Sequence, residues 1–489
     1  MKPLFTDSEW SIEKIEKTWK AINKIATEKF GLDYYPVQIE LITAEQMLNN
    51  YSSNALPIMY SHWSFGKSFV QNERSYNKGI TGLAYEVVIN TNPCIAYLME
   101  SNSMTMQTLV MAHACCGHNF FFKNNYLFKK WTDAESIVDY MKFARNYIKD
   151  CEYKYGEDHV ELFLDACHSI KNNSINKYKK PSKRKSQTIE RKKEWLKYNE
   201  ESFTDMWRTL PRSRTSQETT EQEEPKYELP EENLLYFIET YSDTLKPWQR
   251  EICRIVRTLA QYFYPQMQTQ LCNEGCATFW HYHIMTELYE QGLITDGSYL
   301  EFLESHTGVT YQPQWTSNRY GGINVYALGF AMFQDIKRIC EKPTEEDRYW
   351  FPDICDTNWV ETIKDIQKNY RDEGFILQYL SPKVIRDFKL FTATHKEQDT
   401  YYTVSATHSD EDILKVRKDL AEAYDVNQRI PRIEVTDVDS DGWLILSHYS
   451  ENRLHYEEAK KTAMYIYALW GKRIKIEYKN LKGEDVDEI

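Results

Sequence analysis

The 489-residue chain contains no run of 18 uncharged apolar residues, and its opening, MKPLFTDSEWSIEKIEK, has no apolar leader core. Neither a membrane span nor a signal peptide is therefore expected. Cysteine is scarce. Ten thiols over this length, without the spacing of a disulfide framework, read as reduced residues of a cytoplasmic protein. Positive charge is in deficit: 60 Lys and Arg against 73 Asp and Glu give a net charge of −13. That balance argues against a general nucleic-acid binder. No Walker sequence, dinucleotide-binding glycine fingerprint or Gly-x-Ser-x-Gly elbow occurs. Nucleotide hydrolysis, hydride transfer and serine hydrolysis thus lose their usual sequence warrant.

What is present describes a folded protein. Hydrophobic residues make up 42% of the chain and 36 residues are tyrosine, enough for a sizeable core in two to four domains. Charge is unevenly distributed. Asn176–Lys197 holds ten Lys and Arg against two Glu, and Gln217–Glu232 reverses the sign. Residues 171–228 are expected to form a mobile charged insertion, a solvated linker before a binding arm.

The rest is expected to be α+β. Residues 1–170 combine an amphipathic helix ending near Gly31 with strands at VQIELIT and LAYEVVIN, then a helix from about Met104. Thr132 and Glu135 suggest a capping box for a helix that stops at Gly156. Residues 229–394 read as mainly helical, with one helix ended by Pro265 and the next by Gly292. In residues 395–489 the order is a strand at TYYTVSA, a helix opened by Ser409 and Asp412, strands RIEVTDV and GWLILSHY, a helix closed by Gly471, and a strand KRIKIEY. That βαββαβ order predicts a ferredoxin-like tail.

Two stretches carry chemistry. VMAHACCGHNFFFKNN holds His113 and His118, five residues apart. On an ideal α-helix residues five apart point about 140° away from each other, so the pair cannot share an ion there. A π-bulge of about 4.4 residues per turn would bring them together, and so would a break at Gly117. Packing histidines without a metal remain the alternative. The second stretch, NEGCATFWHYH, sets Glu274 among Cys272, Ala277, Phe279 and Trp280, where a carboxylate needs a partner. His281 lies about 20° off the Glu274 direction but about 10.5 Å along the axis, and His283 points elsewhere, to surface or packing.

The Asn-Glu-Gly-x-Ala pattern resembles the segment that supplies the glutamate ligand of gluzincin peptidases. That resemblance implies a zinc set of His113, His118 and Glu274, and a gluzincin-like, mainly helical body. The chain departs from it at Ala114, where those enzymes carry a glutamate general base. Glu86 on the preceding strand and His281 are the candidate substitutes.

LPIMYSHWSFGKSF, GLAYEVVINTNPCIAYLME, MAHACCGHNFFFKNNYLF, NEGCATFWHYHIM, GINVYALGFAMFQDIKRI and LSPKVIRDFKLFT, in this order, resemble the SpoVR-like (stage V sporulation protein R) family from about Thr6 onward. Departures fall at Cys276 and Phe120. The resemblance implies a cytoplasmic protein of spore cortex formation or of stationary-phase and stress physiology. It implies as partners a PrkA-type serine kinase and a protein with a von Willebrand factor A-like domain. Two functions fit: a regulatory interaction protein with a degenerate metal site, or a metal-dependent peptide or amide hydrolase connected with the cell wall. Lesser candidates are a four-thiolate set of Cys115, Cys116, Cys272 and Cys276, a pocket at His62 and Lys67, and hydrogen-bond donors at Lys123, Asn124 and Asn125.

Overall fold

The computed structural model describes residues 2–52, 59–77, 85–177, 227–391, 393–394, 403–404, 409–449, 455–480, 483 and 485–488. Most of the expected charged insertion, 178–226, lies outside the described residues. The chain forms two compact units, Met1–His168 with Pro247–Pro431, and Ser169–Lys246 with Arg432–Ile489. Among the described residues no helix is long and apolar enough to cross a membrane.

The first unit is α+β. Its small sheet has the order β1 (Val37–Ile42), β3 (Cys94–Met99), β2 (Glu86–Ile89), with β1 parallel and β2 antiparallel to β3. In β2 the alternate residues Val87 and Ile89 are buried, which leaves Glu86 and Val88 toward the opposite face. After β3 the chain turns into one long buried helical segment, capped by the Ser103 hydroxyl on Met106 N–H. Met104–Val110 is α-helical, Met111–His118 is π-helical, and Asn119–Asn124 returns to α.

Against it lies the Gln270–Glu290 helix, apolar on nearly all sides and buried from Leu271 to Leu288 on several faces, as a central helix must be. Its two neighbours come within backbone contact. A Cβ on Gly117 would stand 2.5 Å from Ala277 Cα, and one on Gly275 would stand 2.6 Å from Gly329 Cα in the Val325–Glu341 helix. Gly117 is therefore needed for close approach rather than for a break in its own helix. The surrounding core joins Leu271, Phe279, Trp280, Phe333 and Phe375 to Val110, Phe121 and Phe128.

Several expected boundaries differ. The helix carrying Pro265 runs Pro247–Gln268, three residues past the proline, and Thr269 Oγ1 donates to Pro265 O beyond its end. The helix expected to open at a Thr132–Glu135 box begins at Ile137. Asp133 instead accepts from Glu135 N and Ser136 N at 3.3 Å. Gly156 does end that helix, at φ 92.

Among the described residues the tail does not show the ferredoxin-like arrangement. The Asp410–Tyr424 helix has the expected capping box at Ser409 and Asp412, but it belongs to the first unit. There Ile413, Val416 and Ala421 join the cluster containing Phe351, Ile376 and Leu380, and Arg417 Nε donates to Leu380 O at 2.6 Å. Its apolar face packs on a helical core and not on a sheet. Among the described residues β5 (Thr403–Val404) pairs antiparallel with β4 (Ala393–Thr394) and with no later strand.

The second unit holds a four-stranded sheet in sequential order: β6 (Arg432–Val438), β7 (Leu444–Tyr449), β8 (Ile474–Lys479), β9 (Asp485–Glu488). β6 and β7 form the expected hairpin, with Gly442 at φ 82 in its turn. β7 and β8 are parallel, joined through the Tyr456–Trp470 helix, which ends at Gly471 with φ 80. A Cβ at 471 would meet the Thr244 side chain at 2.3 Å, and Thr244 Oγ1 donates to Trp470 O, so the loop after the Leu234–Tyr241 helix seals that turn.

Candidate metal centre

The π-helical stretch settles the spacing question. With about 4.4 residues per turn, residues five apart lie about 50° from each other, so His113 and His118 share a face. Their rings meet edge to face at 4.6 Å between centroids. Both are buried, at 5% exposure.

Glu274, from the facing helix, turns its carboxylate to this pair. Its Oε2 lies 3.8 Å from His113 Nε2 and 3.5 Å from His118 Nε2. These three residues each offer one ligand atom within 4.8 Å of the others, and among the described residues they form the only such group. Oε2 is buried without a hydrogen-bond partner. Ligand atoms about 2.0–2.2 Å from a tetrahedral zinc sit about 3.3–3.6 Å from each other; the 3.5 Å separation falls in that range and the 3.8 Å one lies just above it. The donor set fits the group.

The opposite edges of both imidazoles are engaged. His118 Nδ1 is 2.9 Å from Asn273 Oδ1, an acceptor only, so Nδ1 carries the proton and Nε2 its lone pair. His113 Nδ1 is 2.9 Å from His281 Nδ1, and His281 Nε2 is 2.9 Å from His306 Nδ1. Either direction satisfies this chain; a metal ion on Nε2 of His113 would select the one in which His113 Nδ1–H donates to His281 and His281 Nε2–H donates to His306. In that direction both Nε2 atoms present lone pairs toward Glu274, the outer-partner pattern of metal-bound histidines.

Glu86 completes the ring of groups. Its Oε1 lies 3.7 Å from His113 Nε2, at the same edge as Glu274. Of the two residues expected to stand in for a missing base, Glu86 reaches this edge. His281 meets the far edge of His113 instead, where it can orient the ring. Tyr326, from the Val325–Glu341 helix, hydrogen-bonds Glu274, and its ring lies 6.4 Å from that of His113. The carboxylates are the more exposed members, 21% for Glu274 and 18% for Glu86, so the centre opens on their side.

The charges follow from this crowding. Burial raises Glu86, the His113 charge opposes it, and Glu274 adds to it. Burial would also raise Glu274, but His118, His113 and Tyr326 together bring it below its ordinary value. Burial would lower His113, and the Glu274 carboxylate with the charge of Glu86 outweighs it, so His113 is raised. Burial takes His118 down to about 4 and His306 to about 4, and lowers His281 as well.

The other candidates serve packing. Cys115, Cys116, Cys272 and Cys276 are all buried free thiols, raised by burial, and supply no group of metal ligands among the described residues. Lys123 pairs with Asp33, Asn124 donates to Asp33 O and Phe120 O, and Asn125 caps the Tyr126–Trp131 helix. His283 packs 4.4 Å from Phe279 and 5.3 Å from Trp359. Tyr326 and His306 were not anticipated as site residues. Tyr326 lies in the GINVYALGF stretch singled out above, but no spacing rule connects it to Glu274.

Comparison with known proteins follows this geometry. The sequence profile described as SpoVR like protein matches residues 9–429. The chain is 50% identical over 480 residues to Uncharacterized protein YcgB of Escherichia coli (strain K12), covering 97% of this chain and 94% of the relative. No solved structure matches the chain at a significant level.

Proposed function

This chain belongs to the SpoVR-like protein family, and from that premise we propose that it is a metal-dependent hydrolase of peptide or amide bonds. In this reading His113, His118 and Glu274 hold a divalent ion, zinc by their chemistry. The observation that carries it is the orphaned Glu274 Oε2 facing two imidazole Nε2 atoms at 3.5 and 3.8 Å.

When bound, such an ion supplies a Lewis acid and makes water a better nucleophile near neutral pH. The chain's own residues do the rest. Asn273 and His281 hold the two ligand rings by their Nδ1–H groups. Glu86 accepts the proton of the attacking water at Oε1 and returns it to the departing amine. It thereby takes the part that a glutamate after His113 plays in gluzincins, from a strand instead of the helix. Tyr326 donates its phenolic O–H to Glu274 and holds that carboxylate in place. The likeness to gluzincins lies in this donor set and its order in the chain.

The family resemblance supports a cytoplasmic setting in spore cortex or stress-related cell-wall metabolism, with the PrkA-type kinase and the von Willebrand factor A-like protein as partners. The competing reading, a regulatory protein with a degenerate site, rests on Ala114. Glu86 weakens it by supplying a carboxylate at the open edge.

The test is metal content of protein purified without an affinity-tag metal, followed by amide hydrolysis with peptide and muropeptide substrates. One equivalent of zinc, lost in His118→Ala and Glu274→Ala variants that remain folded, is expected. Absence of bound metal after zinc-replete growth and reconstitution would overturn the proposal and favour a hydrogen-bonded polar core.

A further inference from the structure

Behind His113 the imidazole chain ends at His306, in the last turn of the Asp296–Val309 helix. A third helix thus reaches the centre, and its histidine is buried at 6% exposure. Aromatic rings box it in: Phe330 stands edge-on at 4.7 Å between centroids, Tyr282 at 5.1 Å and Phe302 at 5.7 Å. An apolar side chain would sit in such a box at no polar cost, whereas a buried imidazole needs a hydrogen-bond partner. The partner here is His281 Nε2, 2.9 Å from His306 Nδ1.

His281 uses both of its nitrogens, Nδ1 toward His113 and Nε2 toward His306. Burial, with the neighbouring imidazoles, disfavours a charge on it. A neutral imidazole has one proton, so it donates from one nitrogen and accepts at the other. The chain therefore has a polarity: one neighbour must donate to His281 and the other must accept from it. An ion on His113 Nε2 leaves the proton of that ring at Nδ1, facing His281. His281 then carries its own proton at Nε2, and His306 Nδ1 has to accept it. The opposite direction puts a proton on His113 Nε2, where the ion would sit. The state of the last ring thus bears on whether the first can be a ligand, with His281 between them.

We propose that His306 is a positioning residue of the metal centre. By accepting from His281 Nε2 it fixes the direction of the chain and leaves the His113 Nε2 lone pair to the ion. This rests on the reading that His113, His118 and Glu274 hold that ion, and it makes a residue two imidazoles away part of the affinity. The coupling is reciprocal. An ion at His113 favours a lone pair at His306 Nδ1, and a lone pair there favours the ion by the same factor.

A histidine that merely fills the aromatic box would behave differently, and rescue separates the two roles. Glutamine can accept through its side-chain oxygen, and leucine cannot. The full chain, freed of metal, is titrated with zinc against a chromophoric chelator, after its thermal stability has been measured. His306→Leu is expected to lower zinc affinity by about 10–100-fold, the scale of losing an outer-sphere partner. His306→Gln should restore most of it. In a His281→Leu background, His306→Leu should change the affinity no further. Nitrogen-15 spectra of the zinc-loaded wild-type chain with labelled histidine need no variant. They should show the His281 proton on Nε2 and His306 Nδ1 without one.

A wild-type chain that binds zinc while His306→Leu keeps full affinity overturns the inference alone. So does a proton on His306 Nδ1 in the loaded protein, a glutamine variant as weak as the leucine one at wild-type stability, or an equal loss in the His281→Leu background. A wild-type chain that takes up no zinc overturns the reading of the centre itself, and this inference with it.

Discussion

Gly117→Ala is the sharpest test of how the centre is held. The added methyl carbon would stand 2.5 Å from Ala277 Cα, 2.9 Å from its Cβ and 3.2 Å from its carbonyl oxygen. Ordinary carbon contacts are about 3.5–4.0 Å, so a shift of about 1 Å is demanded. The obstacle is backbone, and no rotamer change relieves it. The π-helical stretch and the Gln270–Glu290 helix must part. Overpacking of this kind costs about 1–3 kcal/mol. The parting also opens the 3.5 and 3.8 Å gaps between Glu274 and the histidines, while metal sites tolerate only about 0.2 Å of error. Urea unfolding of metal-free protein should show the stability loss. Competition against a chromophoric chelator should show zinc affinity falling by at least about 10–100-fold, the scale of losing an outer-sphere partner. Gly308→Ala is the control: nothing lies within 4 Å of its Cβ, and alanine there should gain up to about 1 kcal/mol. A Gly117→Ala protein with wild-type stability and zinc affinity would refute the view that backbone contact sets the ligand geometry.

Three further outcomes are expected. Glu86→Gln should keep its zinc by elemental analysis but lose amide hydrolysis by about a hundredfold or more; retained turnover would remove Glu86 from the chemistry. Asn273→Ala and His281→Leu should each weaken zinc binding by about 10–100-fold in chelator competition at unchanged stoichiometry, since they orient ligands and do not bind the ion themselves. The third concerns acid stability. Burial would raise the Asp347 carboxyl, but Arg338 and Thr344 outweigh it and bring it to about 2 from 3.8. A depressed acid contributes stability that is present above pH 3.8 and lost as pH falls toward 2. The contribution is about 2 kcal/mol. Asp347→Asn should therefore be less stable at pH 7 and show a shallower loss between pH 4 and 2 in chemical unfolding. An unchanged acid slope would show that Asp347 does not titrate with folding.

How much of this was legible depends on whether the governing contact is local. Helix ends are local: Gly156, Gly292, Gly471 and the Ser409–Asp412 box were readable because caps act within a few residues. The five-residue histidine spacing was also legible as a conflict with α-geometry, one of whose two remedies is the observed π-helix. Gly117 was noticed for the wrong physical reason, since close approach to Ala277 cannot be seen from one helix. Glu86 was named but not placed, because a strand residue's distance from a helix is a tertiary quantity. The tail misled for a related reason. The 3.6-residue pattern of Asp410–Tyr424 tells which face is apolar, but not whether a sheet or the Asp372–Tyr379 helix will cover it. His281 was placed correctly on the Glu274 side of its helix. Its role differs because His113 presents its other nitrogen to it.

Glu274, Asn273 and His281 all belong to the Gln270–Glu290 helix, and both candidate histidine ligands to the segment opposite. The three predicted ligands and both direct imidazole supports thus come from two pieces of chain, and an ion held there is a strut across one joint. Binding and docking then obey a single reciprocal equilibrium. Zinc at about a thousand times its dissociation constant would hold the two pieces together with about 4 kcal/mol. By the same reciprocity, anything that pries the joint apart is an antagonist of the metal wherever it acts. Occupancy of the centre would then report the integrity of this joint, and metal supply would set how often the chain survives as a folded molecule.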